Sequence, residues 1–136
     1  MTLYKPFDIE AALVEFLSAD PDLSGLHEGV STQLPTGVVL PRIRLNRAGG
    51  VLSPEGWLDQ PRVAIDCWAD TKDEAWTLAS TCLPVLLTRL AGGTFEGGVI
   101  TGVRQELGLT WAPDPDTDKP RYTFTVIITT HPTPES

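Results

Sequence analysis

The chain has few of the residues on which catalytic and disulfide-bonded proteins depend. Its 136 residues include only two cysteines and two histidines. Two cysteines are too few for a disulfide framework, and the apolar surroundings of Cys67 and Cys82 predict buried free thiols in a reducing compartment. His27 falls in a predicted loop and His131 near the C-terminus, so neither is placed as a base beside a nucleophile. We therefore expect no catalytic site and no enzyme.

Basic residues and long apolar runs are also scarce. Lys and Arg total 10 against 18 Asp and Glu, which gives a net charge of −8. A field of this sign repels phosphate groups and argues against generic binding to nucleic acid or to an anionic membrane. No apolar run approaches the roughly 18 residues that span a bilayer, and the chain does not open with a signal-peptide pattern. We expect a protein that stays where it is made and has no membrane contact.

The sequence does contain the pattern of one small α+β domain. A chain of this length with 41% apolar residues can bury a single core. Apolar residues at helical spacing predict a first helix over 8–19, with Asp8 as its N-cap. Alternating residues predict strands over 30–34 and 38–46, joined as a hairpin, and a third strand over 61–69.

The second half of the chain continues this pattern. A capping box over 71–74 opens a second predicted helix, which Pro84 should kink or split. Two long alternating strands, 99–111 and 121–131, follow it, and we expect 131–136 to be a frayed tail. The whole chain is therefore predicted to be a single domain, with a mainly antiparallel sheet of about five strands and both helices packed on one face.

The predicted loop over 47–60 is long for so small a domain. Its apolar residues follow neither helical nor strand spacing, and it contains several glycines, yet it is more apolar than disordered segments usually are. We interpret it as a docking segment for another protein, because buried aromatic residues carry a large share of interface energy. Its candidate contact residues are Arg47, Val51, Leu52, Trp57 and Leu58.

Two groups of charged residues could form either a binding site or an ordinary solvated surface. The connection between the last two strands carries Asp114, Asp116 and Asp118 but lacks the glycine and the closing glutamate of a calcium loop, so we expect no metal site. Arg42 and Arg44 share one face of a predicted strand. On an acidic protein they favour pairing with carboxylates, of the same chain or of a partner, over contact with DNA.

Several segments resemble tail terminator proteins of long-tailed bacteriophages, the siphophages, particularly those of actinobacterial hosts. Pro-Arg-Val at 61–63 and Asp-Cys-Trp-Ala at 66–69, followed by a long Ala- and Leu-rich helix, resemble the central strand and helix of that family. The segments 40–43, 111–116 and 120–122 are similar to it as well. The resemblance covers nearly the whole chain in order.

The resemblance implies an α+β subunit, without a cofactor, that forms a ring on the end of the finished tail tube, commonly a hexamer. One face of the ring would meet the tail tube protein and the other the head-completion (stopper) protein. DNA would pass through the hole without sequence-specific binding. The protein would lie at the tail-neck junction of the virion, and in the host cytoplasm during assembly. The apolar residues of 47–60, with Arg47, would contact the tube or neck partner.

A ring that closes by rotation needs two different complementary patches on each chain. The apolar stripe of the second helix is wider than one buried side requires, and the last hairpin is long enough, at about 43 Å for its first strand, to project from the core. The arginine-bearing strand face would supply the other patch and meet the neighbour's acidic connection. The candidate subunit contacts are Arg42, Arg44, Trp76, Leu83, Leu87, Asp114, Asp116 and Asp118.

Two other interpretations stay open. Another neck component, a head-tail connector or a tail tube protein, shares the small ring-forming α+β design. A small-molecule-binding domain or enzyme would instead use Trp57, Trp68 and Trp111 to line a pocket.

Overall fold

The elements of the fold follow the predicted order of helix, strands, helix and strands. The computed structural model describes residues 3–34 and 37–135, and of 134 and 135 only the backbone. The elements are β1 (Leu3–Tyr4), α1 (Ile9–Ala19), β2 (Val30–Ser31), β3 (Arg42–Leu52), β4 (Asp59–Trp68), α2 (Lys72–Arg89), β5 (Thr94–Phe95), β6 (Gly98–Trp111), β7 (Arg121–Pro132) and β8 (Pro134–Glu135).

The main sheet has the strand order β2-β3-β4-β7-β6-β5. All of its pairings are antiparallel except that of β2 with β3. Alternate residues of the central strands are fully buried and form one core with the buried residues of both helices. The α+β prediction is confirmed, with six strands in the main sheet in place of about five. The buried central residues are Val63, Ile65 and Cys67 of β4 and Phe124, Val126 and Ile128 of β7.

Both predicted helix starts are confirmed by their caps. The Asp8 carboxylate accepts a hydrogen bond from the Ala11 N–H at 3.0 Å, and the Thr71 hydroxyl accepts one from the Glu74 N–H at 3.2 Å. Pro84 lies inside α2, but the helix runs unbroken to Arg89, so the predicted split does not occur. The buried residues on either side of Pro84 hold the helix against the sheet and offset the lost hydrogen bond.

The predicted hairpin over 30–34 and 38–46 is wrong. The strand β2 is only two residues long and runs parallel to β3, with Val30 opposite Ile43. Pro35 and Thr36, in the predicted turn, lie outside the described residues. The strand β3 begins only after Pro41, which has no N–H to donate to a ladder.

The predicted loop over 47–60 is wrong as well, because β3 continues through 47–52 and β4 begins at Asp59. Only 53–58 connects β3 to β4. Two of the glycines that indicated a loop, Gly49 and Gly50, lie at a β-bulge, where the register shifts between Arg47 and Gly50. Gly50 has a φ of 117°, and a Cβ there would collide with the Gln60 carbonyl oxygen. A bulge and a loop give the same glycine signal in the sequence.

The last hairpin matches its predicted bounds to within one residue at each end. Its first strand, β6, contains three register shifts, and residues 104–107 are exposed. The distal half of β6 therefore lies largely outside the core. The strand β7 instead pairs with β4 from Arg121 to Thr130 and buries Phe124 and Val126, so the hairpin as a whole does not leave the core as its length predicted. The segment predicted to fray is instead paired: β7 runs to Pro132, and β8 pairs antiparallel with β1. Ser136 lies outside the described residues.

A buried ion pair joins the two strands next to the bulge. Asp59 is fully buried and accepts hydrogen bonds from Arg47 at 2.8 and 2.7 Å. The Glu10 carboxylate of α1 accepts from the Arg47 N–H at 3.1 Å, and the Thr130 hydroxyl of β7 donates to the Asp59 carbonyl at 3.2 Å. The hydrogen bond to Asp59 raises the pKa of Arg47. The pair thus connects four elements at one point.

Replacing Arg47 with Ala should strongly destabilise the fold. The change leaves the Asp59 carboxylate buried without its partner, so we expect the free energy of unfolding to fall by about 3 kcal/mol in urea denaturation. Arg62→Ala is the matched control, because Arg62 pairs with Glu106 at the surface and should cost less than about 1 kcal/mol. Equal losses in the two variants would contradict this account.

Candidate functional site

Most of the large exposed apolar side chains form two groups at opposite ends of the sheet, while Leu3, Val39 and Leu107 lie outside both. The first, the turn surface, consists of Val51, Leu52 and Trp57 and lies where β3 turns into β4. The second, the hairpin surface, consists of Trp76, Trp111 and Tyr122, with Lys72, beside the connection from β6 to β7. Trp57 is 46% exposed, Trp76 47% and Trp111 39%. These are large fractions for tryptophan, which is usually well buried.

The turn surface is held in place by a tight connection. The Ser53 N–H donates to the Leu58 carbonyl at 2.8 Å, and the Leu58 N–H donates to the Ser53 hydroxyl at 3.2 Å. The Trp57 ring stacks on His131, with 5.8 Å between ring centroids and 16° between planes. Of the residues predicted for docking, Val51, Leu52 and Trp57 are exposed and Leu58 is half-buried. Arg47 instead binds Asp59 within the chain.

Three elements build the hairpin surface. Trp111 of β6 lies directly opposite Tyr122 of β7, and their ring centroids are 5.2 Å apart. Trp76 of α2 meets Tyr122 edge-on at 5.3 Å. The Lys72 ammonium lies 4.5 Å from the centroid of Trp111. The sequence indicated Trp76 as a contact residue but not this cluster. The position of Trp111 and Tyr122 on the two sides of one connection could have indicated it, because residues so placed face each other across a hairpin.

An acidic loop lies beside the hairpin surface. The Asp114 carboxylate accepts from the N–H groups of Asp116 at 2.7 Å and Thr117 at 3.4 Å. These bonds, first that of Asp116, lower the pKa of Asp114, and the charge of Arg121 adds to them. Lys119 ties the loop to Asp70, just before α2, at 3.4 Å. Within residues 3–34 and 37–135, no group of three or more His, Cys, Asp or Glu is arranged to hold a metal ion.

Arg44 is engaged within its own chain. Its guanidinium donates to one Asp66 oxygen at 3.2 and 2.6 Å and lies 5.5 Å from the ring centroid of Trp68. Arg121 lies 5.0 Å from the centroid of the same ring and donates to the Ala112 carbonyl at 2.6 Å. Of the two kinds of partner expected from the sequence, Arg44 uses a carboxylate of the same chain.

A cavity of about 470 Å³ lies beside this ion pair, and Arg44, Trp68 and Asp114 are among its lining residues. The arginine-bearing strand and the acidic loop therefore occupy the same end of the molecule. Trp68 is 3% exposed, while Trp57 and Trp111 lie at opposite ends of the sheet. The small-molecule interpretation required the three tryptophans to line one pocket, and they do not.

The remaining candidates for acid-base or nucleophilic chemistry are structural. Cys67 and Cys82 are free and buried, as predicted, and burial raises the pKa of Cys67. Neither ring nitrogen of His27 has a hydrogen-bond partner in the part of the chain that the structure describes. Burial, and then the charge of Arg42, lower the pKa of His27. The His131 ring contacts the Thr101 hydroxyl at 3.1 Å and Trp57.

His27 should make the fold less stable in mild acid. Because its folded pKa is lowered, the unfolded chain binds a proton first, and stability falls as pH drops below about 6.5. Arg42 opposes the protonated ring and Glu28 favours it, while Asp73 and Glu74 line the same cavity as His27. Between pH 7 and pH 5, wild type should lose more unfolding free energy than His27→Gln. Identical pH profiles in urea denaturation would contradict this role.

The fold and its two exposed surfaces indicate the general class of the protein. The chain is a small α+β domain that presents aromatic surfaces at both ends of one sheet, as expected of a structural subunit that binds other proteins. Among the described residues, no helix is long and apolar enough to cross a membrane.

The chain belongs to the phage tail termination protein family, whose sequence model matches residues 6–135. No curated protein matches the sequence. The family is structural rather than enzymatic, and its members are virion components that interact with other tail and head-joining proteins. The resemblance noted in the sequence is thereby confirmed at the level of the family.

Proposed function

We propose that the chain closes the end of the phage tail tube as a ring and provides the surface on which head and tail join, with DNA passing through the ring. The observation that carries this proposal is the position of two exposed aromatic surfaces at opposite ends of one sheet. A subunit placed between tube and neck needs two such axial contacts. The turn surface and the hairpin surface can supply them, because exposed aromatic residues are favoured anchors of interfaces.

The two lateral sides of the sheet suit contacts between neighbours in the ring. On one side β5 covers only the start of β6, so 102–111 has no strand partner other than β7 among the described residues. An open strand edge of this kind is a template for contact with another chain. On the other side, α1 and β2 lie against β3. The sides differ, as the heterologous contacts of a closed ring require.

The subunit contacts expected from the sequence change accordingly. Arg44 and the loop carrying Asp114 line one cavity, so pairing the arginine of one copy with the acidic loop of the next would place the same patch of both copies face to face. Such a contact favours a two-fold pair over a ring. Leu83 is buried in the core and Leu87 is half-buried, and Trp76, the exposed one of the three, belongs to the hairpin surface rather than to a side of the sheet.

The net charge of −8 is compatible with a DNA conduit. A ring that attracted many phosphate groups would bind the duplex and retain it, whereas an acidic ring would let it pass.

The purified protein should form single closed rings. We expect one mass several times that of the monomer in native mass spectrometry, and rings without stacking in negative-stain electron microscopy. A tube protein would stack into cylinders of indefinite length, and a small-molecule-binding domain would remain a monomer. Either result would overturn the proposed function.

Replacing Trp57 with Ala should separate assembly from folding. Because Trp57 is half-exposed and packs mainly on His131, we expect a loss of about 1–2 kcal/mol in unfolding free energy. Phage carrying the variant should contain unjoined heads and tails in electron micrographs. Val39→Ala, which truncates another exposed apolar residue outside both surfaces, is the control and should assemble normally. Normal joining by the Trp57 variant would remove the turn surface from the proposal.

A further inference from the structure

The hairpin surface has the anatomy of a protein interface. Its centre consists of three aromatic rings that already pack on one another. Because Tyr122 fixes both tryptophans before any partner arrives, little side-chain freedom is lost on binding. The surrounding residues are polar, and an apolar aromatic centre within a polar rim is the usual arrangement at a binding surface.

The rim of the hairpin surface is acidic. The segments 70–76 and 111–122 contain six carboxylates and three cations. Each cation is already engaged: Lys72 by the Trp111 ring, Lys119 by Asp70, and Arg121 by a backbone carbonyl and Trp68. Among the described residues, the exposed carboxylates of Asp73, Asp116 and Asp118 have no ion pair.

Most of the arginines in the described part of the chain are not free to meet such a rim. Four of its arginines are paired with its own carboxylates. The turn surface, the other exposed aromatic surface, has Glu55 as the only charged residue between 48 and 58. Placing the turn surface of one copy against the hairpin surface of another would bring carboxylates together, which opposes association. The charge distribution therefore points away from a second copy.

We infer that the hairpin surface docks a different protein of the tail or neck, one whose surface presents Lys and Arg side chains around an apolar pocket. Trp76 and Trp111 fill that pocket, and the carboxylates around them select the basic rim. Ring closure then depends on other surfaces of the chain. This inference rests on the proposed function and adds the chemistry of one of its two axial partners.

Two variants test the inference in the intact ring. Trp76→Ala with Trp111→Ala removes the aromatic centre, and Asp116→Asn with Asp118→Asn neutralises two rim carboxylates without touching the core. Asn is chosen because Asp118 has a φ of 58°, a conformation that Asn tolerates. Glu15→Gln with Glu96→Gln is the matched control, since it removes the same charge from exposed positions on α1 and near β5.

Native mass spectrometry and a joining assay give separate readouts. Each purified variant is mixed with terminator-free tails and DNA-filled heads of the phage that encodes the chain, and joined particles are counted by electron microscopy. We expect both test variants to form rings of wild-type mass but to join on the order of tenfold less, while the control joins normally. Joining by wild type should weaken with added NaCl, and less steeply in the Asp116, Asp118 variant.

The outcomes distinguish the inference from the function on which it rests. Dispersal of the ring by Trp76→Ala with Trp111→Ala, in protein that remains folded by circular dichroism, would make the hairpin surface a self-contact and overturn the inference. Wild-type joining by the Asp116, Asp118 variant at every salt concentration would overturn it too, even if the tryptophan variant did not fold. Failure of the wild-type protein to form rings or to join particles would instead reject the proposed function.

Discussion

The contact between Arg47 and Asp59 is the constraint on which the arrangement of β3 and β4 depends. A fully buried carboxylate is tolerated only when a cation and hydrogen bonds satisfy it, and here the guanidinium does so with two bonds. The neighbouring bulge turns β3 so that Arg47 can reach Asp59 while Val51 and Leu52 remain exposed. The same interaction that completes the core therefore sets where the turn surface begins.

The two ends of the sheet present different surfaces. At one end the tight turn at 53–58 presents Trp57 against His131, and at the other the facing ends of β6 and β7 bring Trp111 to Tyr122. The core between them is closed by α1 and α2. A sheet with an exposed aromatic surface at each end can contact two partners, which accords with membership of the phage tail termination family.

Charge pairing within the chain also affects what the surface can bind. Arg44, Arg47 and Arg89 are each joined to carboxylates of the same chain, so these three arginines contribute to folding. The acidic excess remains at the surface, most clearly around the connection that carries Asp116 and Asp118. An acidic surface with aromatic anchors selects its partners by charge as well as by shape.

The sequence by itself determined the features that arise from local rules. Helix caps act over three residues, so Asp8 and Thr71 marked both helix starts, and strict alternation marked the strands over 99–111 and 121–131. Only the tertiary structure decided that β2 runs parallel to β3, that Gly49 and Gly50 lie at a bulge, and that Asp59 is the partner of Arg47. Each of these depends on contacts between residues distant in the chain, which no local pattern encodes.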